Sequence, residues 1–137
     1  MTTYDAGPYS ALLANLVARG FIVMGDTEDL DRFGNELLLL RRGETRVRFV
    51  RDRGQWFVEI AAPNSDDWFA PVVWQALLDG ELPPDRMLSD QEQTNLVGQR
   101  LNEVDDLCRS EPGALGEQLR SWQAARAAAR RARPRDD

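Results

Sequence analysis

Histidine and lysine are both missing from the 137 residues, and cysteine occurs once, at Cys108. Without imidazole or a second thiol there is no ligand set for a zinc site of nitrogen and sulfur donors, and one cysteine closes no internal disulfide. The same absences remove the commonest general base and the Schiff-base amine. No glycine-rich phosphate loop, nucleophile elbow or paired-histidine motif replaces them. Long apolar runs are lacking as well: Leu37 to Leu40 and Phe69 to Val73 fall far short of the ~20 residues of a membrane helix. The opening Met-Thr-Thr-Tyr-Asp carries neither the basic nor the apolar segment of a secretory signal. These absences predict no catalytic, cofactor or metal site, no membrane contact and a cytoplasmic location.

Apolar residues nonetheless make up 42% of the chain, enough for a core of its own, and the length suits one domain rather than two. All 17 cations are Arg, and the net charge of −6 is spread unevenly. Residues 1–40 carry two Arg against six acids, and residues 54–119 three against thirteen. Residues 41–53 and 120–137 reverse the sign, each with six Arg against two acids. A negative exterior repels phosphate backbones and attracts cationic partners, so no nucleic acid is expected and a basic protein is favoured. The same charge also serves plain solubility.

Ser10 to Arg19 reads as a helix with Leu12, Leu13, Leu16 and Val17 on one stripe, closed by Gly20. Phe21 to Met24, Leu37 to Arg41, Arg46 to Arg51 and Gln55 to Ala61 read as four strands. Asp26, Glu28, Asp29 and Asp31 form an acidic loop after the first strand, and Gly-containing turns at Arg42-Gly43-Glu44 and Asp52-Arg53-Gly54 join the last three. Two-residue alternation puts Val47 and Phe49 on one side with Trp56, Val58 and Ile60. Arg46, Arg48, Val50, Phe57 and Glu59 lie opposite, facing water. Asp67 to Leu78 reads as a helix with Pro71 in its first turn and Gly80 at its end.

Pro83-Pro84 then precedes a helical pair. Ser89-Asp90-Gln91-Glu92 is a capping box, and Val97, Leu101, Val104 and Cys108 share one helical face. A second helix carries Leu115, Leu119 and Trp122, and its Ala/Arg end is expected to fray. The expected fold is therefore α+β: an N-terminal helix, a four-stranded antiparallel meander covered on one face by helices, and a C-terminal helical pair. The domain is expected over 1–125, with 126–137 a basic tail.

Carboxylate pairs are the remaining chemical candidates. Asp105-Asp106 point in different directions on a helix, which suits a solvated face better than an acid/base dyad, and Asp66-Asp67 is similar. The Asp26 to Asp31 loop has oxygen donors for a hard cation but lacks the spacing and glycine of an EF-hand loop. The Arg41 to Arg53 hairpin suits a phosphate or acidic peptide, or pairing with neighbouring acids. Each of the four Trp suits the core, with Trp74 and Trp122 also suited to anchoring a partner.

Phe33-Gly34-Asn35-Glu36-Leu37, Arg41-Arg42-Gly43, the run Val50 to Ile60, Trp68, and Trp74-Gln75-Ala76-Leu77-Leu78-Asp79-Gly80 together resemble the small acidic immunity proteins encoded beside polymorphic toxins in actinobacteria. The resemblance spans about residues 21–80. It implies a non-enzymatic, monomeric inhibitor that binds a cognate toxin domain, encoded nearby, and blocks its active site. Asp26, Glu28, Asp29, Asp31, Asp79, Glu81 and Asp85 would then face the basic partner, with Trp74 a possible anchor. The alternative expectation is a secretion-chaperone-like or adaptor domain, commonly a dimer, that holds a client segment.

Overall fold

The computed structural model describes residues 5–27 and 36–132. A 3₁₀ turn over Gly7–Tyr9 leads into α1 (Ser10–Ala18), followed by strands β1 (Ile22–Thr27), β2 (Glu36–Arg42), β3 (Thr45–Asp52), β4 (Gln55–Ala61) and β5 (Trp68–Phe69). Helices α2 (Pro71–Asp79), α3 (Asp90–Ser110) and α4 (Leu115–Ala132) complete the order. All neighbouring strands are antiparallel, in the order β1-β2-β3-β4-β5. The α+β meander with helices on one face is as expected, with one strand more.

The tight turns set the register. Arg42 pairs with Thr45 around Gly43-Glu44, and Asp52 pairs with Gln55 around Arg53-Gly54. Gly43, Arg53 and Gly54 all take positive φ, the backbone of two-residue hairpins that follow the twist of their strands. With register fixed, alternation decides the faces. Leu38, Leu40, Val47, Phe49, Val58 and Ile60 are buried and join Leu12, Leu16, Val73, Leu101, Leu115 and Leu119 from all four helices in one core. β1 carries a bulge between Val23 and Gly25 at the sheet border.

Three expectations need correction. Trp68 and Phe69 form β5, pairing with Ala61 and Ile60, and α2 starts only at Pro71. A residue before proline is pushed out of the α region, and Ala70 is accordingly extended at φ −62°, ψ 153°. Asp66 and Asp67 therefore precede the helix instead of opening it. β1 continues through Asp26 and Thr27, whose backbones pair with Leu38 and Leu37, so Asp26 belongs to a strand; Glu28, Asp29 and Asp31 lie outside the described residues. Val17, placed on the apolar stripe of α1, is 49% exposed.

α4 runs to Ala132, and Arg130 near its end donates to Asp85 at 3.0 Å. Leu115 and Leu119 are buried at its start, and Trp122 packs half-buried against the core.

Candidate functional site

The outer face of the sheet has no element packed over it among the described residues. Cross-strand register builds a row from Leu37 through Val50 to Phe57, beside a second row of Leu39, Arg48 and Glu59. Leu37, Leu39 and Val50 are half-buried, while Phe57 is 42% exposed. At the β1 border Ile22 and Met24 are 65% and 57% exposed. These large apolar side chains make the open face a candidate interaction surface.

Toward β5 the same face becomes aromatic and cationic. The guanidinium carbons of Arg48 and Arg46 lie 4.5 and 5.6 Å from the centre of the Trp68 ring. Arg48 also pairs with Glu59 at 2.7 Å, and Arg46 donates to the carbonyls of Ala62, at 2.9 Å, and Ser65. Pairing the hairpin arginines with the chain's own acceptors is thus realised here, and Arg42 adds a contact to Asp105 at 3.6 Å. Stacked on Trp68 and held at their tips, these guanidinium groups form a flat, ordered platform.

A second concave feature lies beside β4. β5 pairs only with Ile60 and Ala61, so the β4 edge from Gln55 to Val58 has no strand next to it among the described residues. There a cavity of about 460 Å³ opens between Gln55, Trp56 and Phe57, the start of α2 at Ala70 and Val72, the segment Met87 to Asp90, Gln93, and Arg126 and Arg130 of α4. Asp90 opens α3 on the capping box, in which the Ser89 hydroxyl accepts from Glu92 N–H at 3.1 Å and Glu92 accepts from Ser89 N–H at 3.1 Å. The Asp90 carboxylate accepts from the Tyr9 hydroxyl at 3.1 Å, tying the first turn of the chain to α3. Burial, and then Asp90, push the Tyr9 hydroxyl well above the usual tyrosine range.

The residues expected to meet a partner are dispersed. Trp74 is 1% exposed, and its Nε1 donates to the Ile60 carbonyl at 3.0 Å, so it locks α2 onto β4 and offers no anchor. An indole can be buried this way because its one polar atom finds a carbonyl. Asp79 accepts from Arg100 at 2.9 Å and Asp85 from Arg130 at 3.0 Å, which neutralises two of the three acids expected around residue 80; Glu81 is exposed. The segment charges hid these pairings because the cations come from α3 and α4. Arg120 likewise reaches back to Asp67 at 2.6 Å.

The other chemical candidates separate in space. Asp105 accepts from the buried Thr45 hydroxyl at 2.7 Å and Asp106 pairs with Arg109, whose Nε also lies 3.6 Å from Asp105, so both carboxylates are engaged by neighbouring side chains. Cys108 is buried, and loss of solvent pushes its thiol up to about 11, keeping it protonated at neutral pH. Among the described residues no three His, Cys, Asp or Glu groups converge as a metal site, and no helix is long and apolar enough to cross a membrane.

Sequence reasoning placed Phe57 and the outer arginines on the water-facing side, and alternation was the signal. It missed Leu37 and Leu39, which join Val50 and Phe57 on that face only once the register is known. The cavity draws on β4, α2, α3 and α4, so no local pattern announces it. No family model matches this chain, nor does any curated protein or solved structure.

Proposed function

We propose that this chain is a non-enzymatic binding protein of the immunity or antitoxin kind, which neutralises a toxin domain by direct contact through the open face of its sheet. The observation that carries this reading is the exposure of Ile22, Met24 and Phe57, at 65, 57 and 42%, on a sheet face that no described element covers. Such a surface supplies the desolvated centre of an interface, and the Arg46-Arg48-Trp68 platform supplies an ordered rim. The net charge of −6 suits a basic partner by raising its encounter rate, which falls as salt rises. The resemblance of residues 21–80 to toxin-neutralising proteins points the same way.

Co-expression with the product of the adjacent gene tests the proposal. The expected result is a stoichiometric complex that Met24→Asp and Phe57→Asp each abolish, with the melting temperature of the free chain kept. No complex with either neighbouring product, or a complex indifferent to both substitutions, counts against it.

The second reading, a secretion-chaperone-like or adaptor domain, is favoured by a different observation. The β4 edge from Gln55 to Phe57 has no strand beside it among the described residues and offers backbone groups to an extended client segment. Size-exclusion with light scattering separates the two: a monomer favours the immunity reading, a robust homodimer the chaperone.

A further inference from the structure

The cavity beside β4 combines two features that conflict in an empty site. Its walls are largely apolar, with Trp56, Val72 and Leu88 among them, yet Arg126 projects from α4 into the same lining. Arg126 is half-buried and has no hydrogen-bond or ion-pair partner among the described residues. The Asp85 carboxylate that acts on it through space is bound instead by Arg130, at 3.0 Å. Burial, with Arg130 close by, disfavours the charged form of Arg126. A guanidinium stays charged regardless, so part of its desolvation is left uncompensated.

We propose that this cavity binds an organic carboxylate with an apolar body, the carboxylate resting on Arg126 and the body against Trp56, Val72 and Leu88. Its volume of about 460 Å³ lies within the range of small-ligand sites. A carboxylate matches a guanidinium fork with two parallel hydrogen bonds. Asp90, also in the lining, accepts from the Tyr9 hydroxyl and makes no ion pair with Arg126 among the described residues. The same chemistry is carried by a free aliphatic acid and by the terminus of a peptide ending in an apolar residue. Phe57 borders both this cavity and the open sheet face, but Arg126, Val72 and Leu88 belong to the cavity and not to that face, so the inference does not rest on toxin binding.

Calorimetric titration of the full chain with octanoate, octanol, and an acetylated Ala-Ala-Phe peptide as free acid and as amide tests the assignment. The expected result is that octanoate binds more tightly than octanol and the free-acid peptide more tightly than its amide. Arg126→Gln should weaken both acids about 10- to 100-fold, the worth of a charge-assisted hydrogen bond, and leave octanol unchanged. Whichever acid binds more tightly identifies the source of the carboxylate. Equal affinities for octanoate and octanol, together with equal affinities for peptide acid and amide, overturn the proposal without any variant. So does unchanged acid binding in Arg126→Gln, or no heat from any of the four probes.

Discussion

Phe49 and Phe57 sit on adjacent antiparallel strands of one sheet, one fully buried and the other 42% exposed. The inner face around Phe49 is closed by four helices, and its side chains fill one core. The outer face around Phe57 carries Leu37, Leu39, Val50, Met24 and Ile22 with nothing described above them. Both faces carry large apolar side chains, so hydrophobicity along a strand does not tell which side is finished. The difference lies in what the remainder of the chain brings to each side: α1 to α4 all come to one, and the other receives only the side chains of its own strands.

Substituting the two phenylalanines tests that contrast most strongly. Phe49→Ala is expected to cost about 3–5 kcal/mol through lost burial and the cavity left behind. Phe57→Ala should cost below about 1 kcal/mol, the scale of a cross-strand pair. Urea unfolding of both variants measures the gap, and comparable losses would mean that the outer face is covered in the free protein.

Gly7 comes next, where the first turn meets the inner face. Its φ is +56°, and a Cβ added there would lie well inside contact distance of Trp56 Nε1, a clash with the indole. Gly7→Ala is therefore expected to lose about 1–3 kcal/mol, from left-handed backbone strain and overpacking together. A urea midpoint unchanged by this substitution would show that Trp56 is not seated against the turn.

The α3 cap lies on neither face and calibrates the scale. Ser89→Ala should cost ~1 kcal/mol. Glu92, held mainly by its bond from Arg86 and next by Ser89 N–H, has its carboxyl pulled down from 4.5 to about 2. A carboxyl depressed in the folded state adds stability above its unfolded value and loses it as pH falls. The deficit of Glu92→Gln should thus be full at neutral pH and vanish as pH drops from about 4.5 toward 2, followed by the urea midpoint across that range.

The smallest effect is expected on the outer face. Arg48 and Glu59 are 28% and 26% exposed, and a double-mutant cycle should give a coupling of ~0.2–1 kcal/mol. A larger value would mean that the platform at Trp68 is shielded from water.

The sequence is most legible where local chemistry decides the outcome. The turns at Gly43 and Gly54 fix the hairpins, alternation sorts Val47 and Phe49 from Arg46 and Arg48, and the Ser89 box marks the start of α3. It is least legible where distant segments meet. Ala70 before Pro71 was a readable stop to any helix begun at Asp67, but the pairing of Trp68 with Ala61 depends on the path of the intervening loop. Trp74 needed the Ile60 carbonyl to identify it as core. The acids around residue 80 looked free because Arg100 and Arg130 are 21 and 45 positions away from their partners. Arg126 gives no sign in an Ala/Arg repeat that it lines a cavity.

The bulge in β1 bears on how the molecule behaves in a crowd. A border strand with evenly spaced amides invites another copy to zip alongside and prolong the sheet without limit. Between Val23 and Gly25 the spacing is interrupted, so an incoming strand would lose register after a few residues. The protein can thus carry an oily outer surface while resisting polymerisation through this flank.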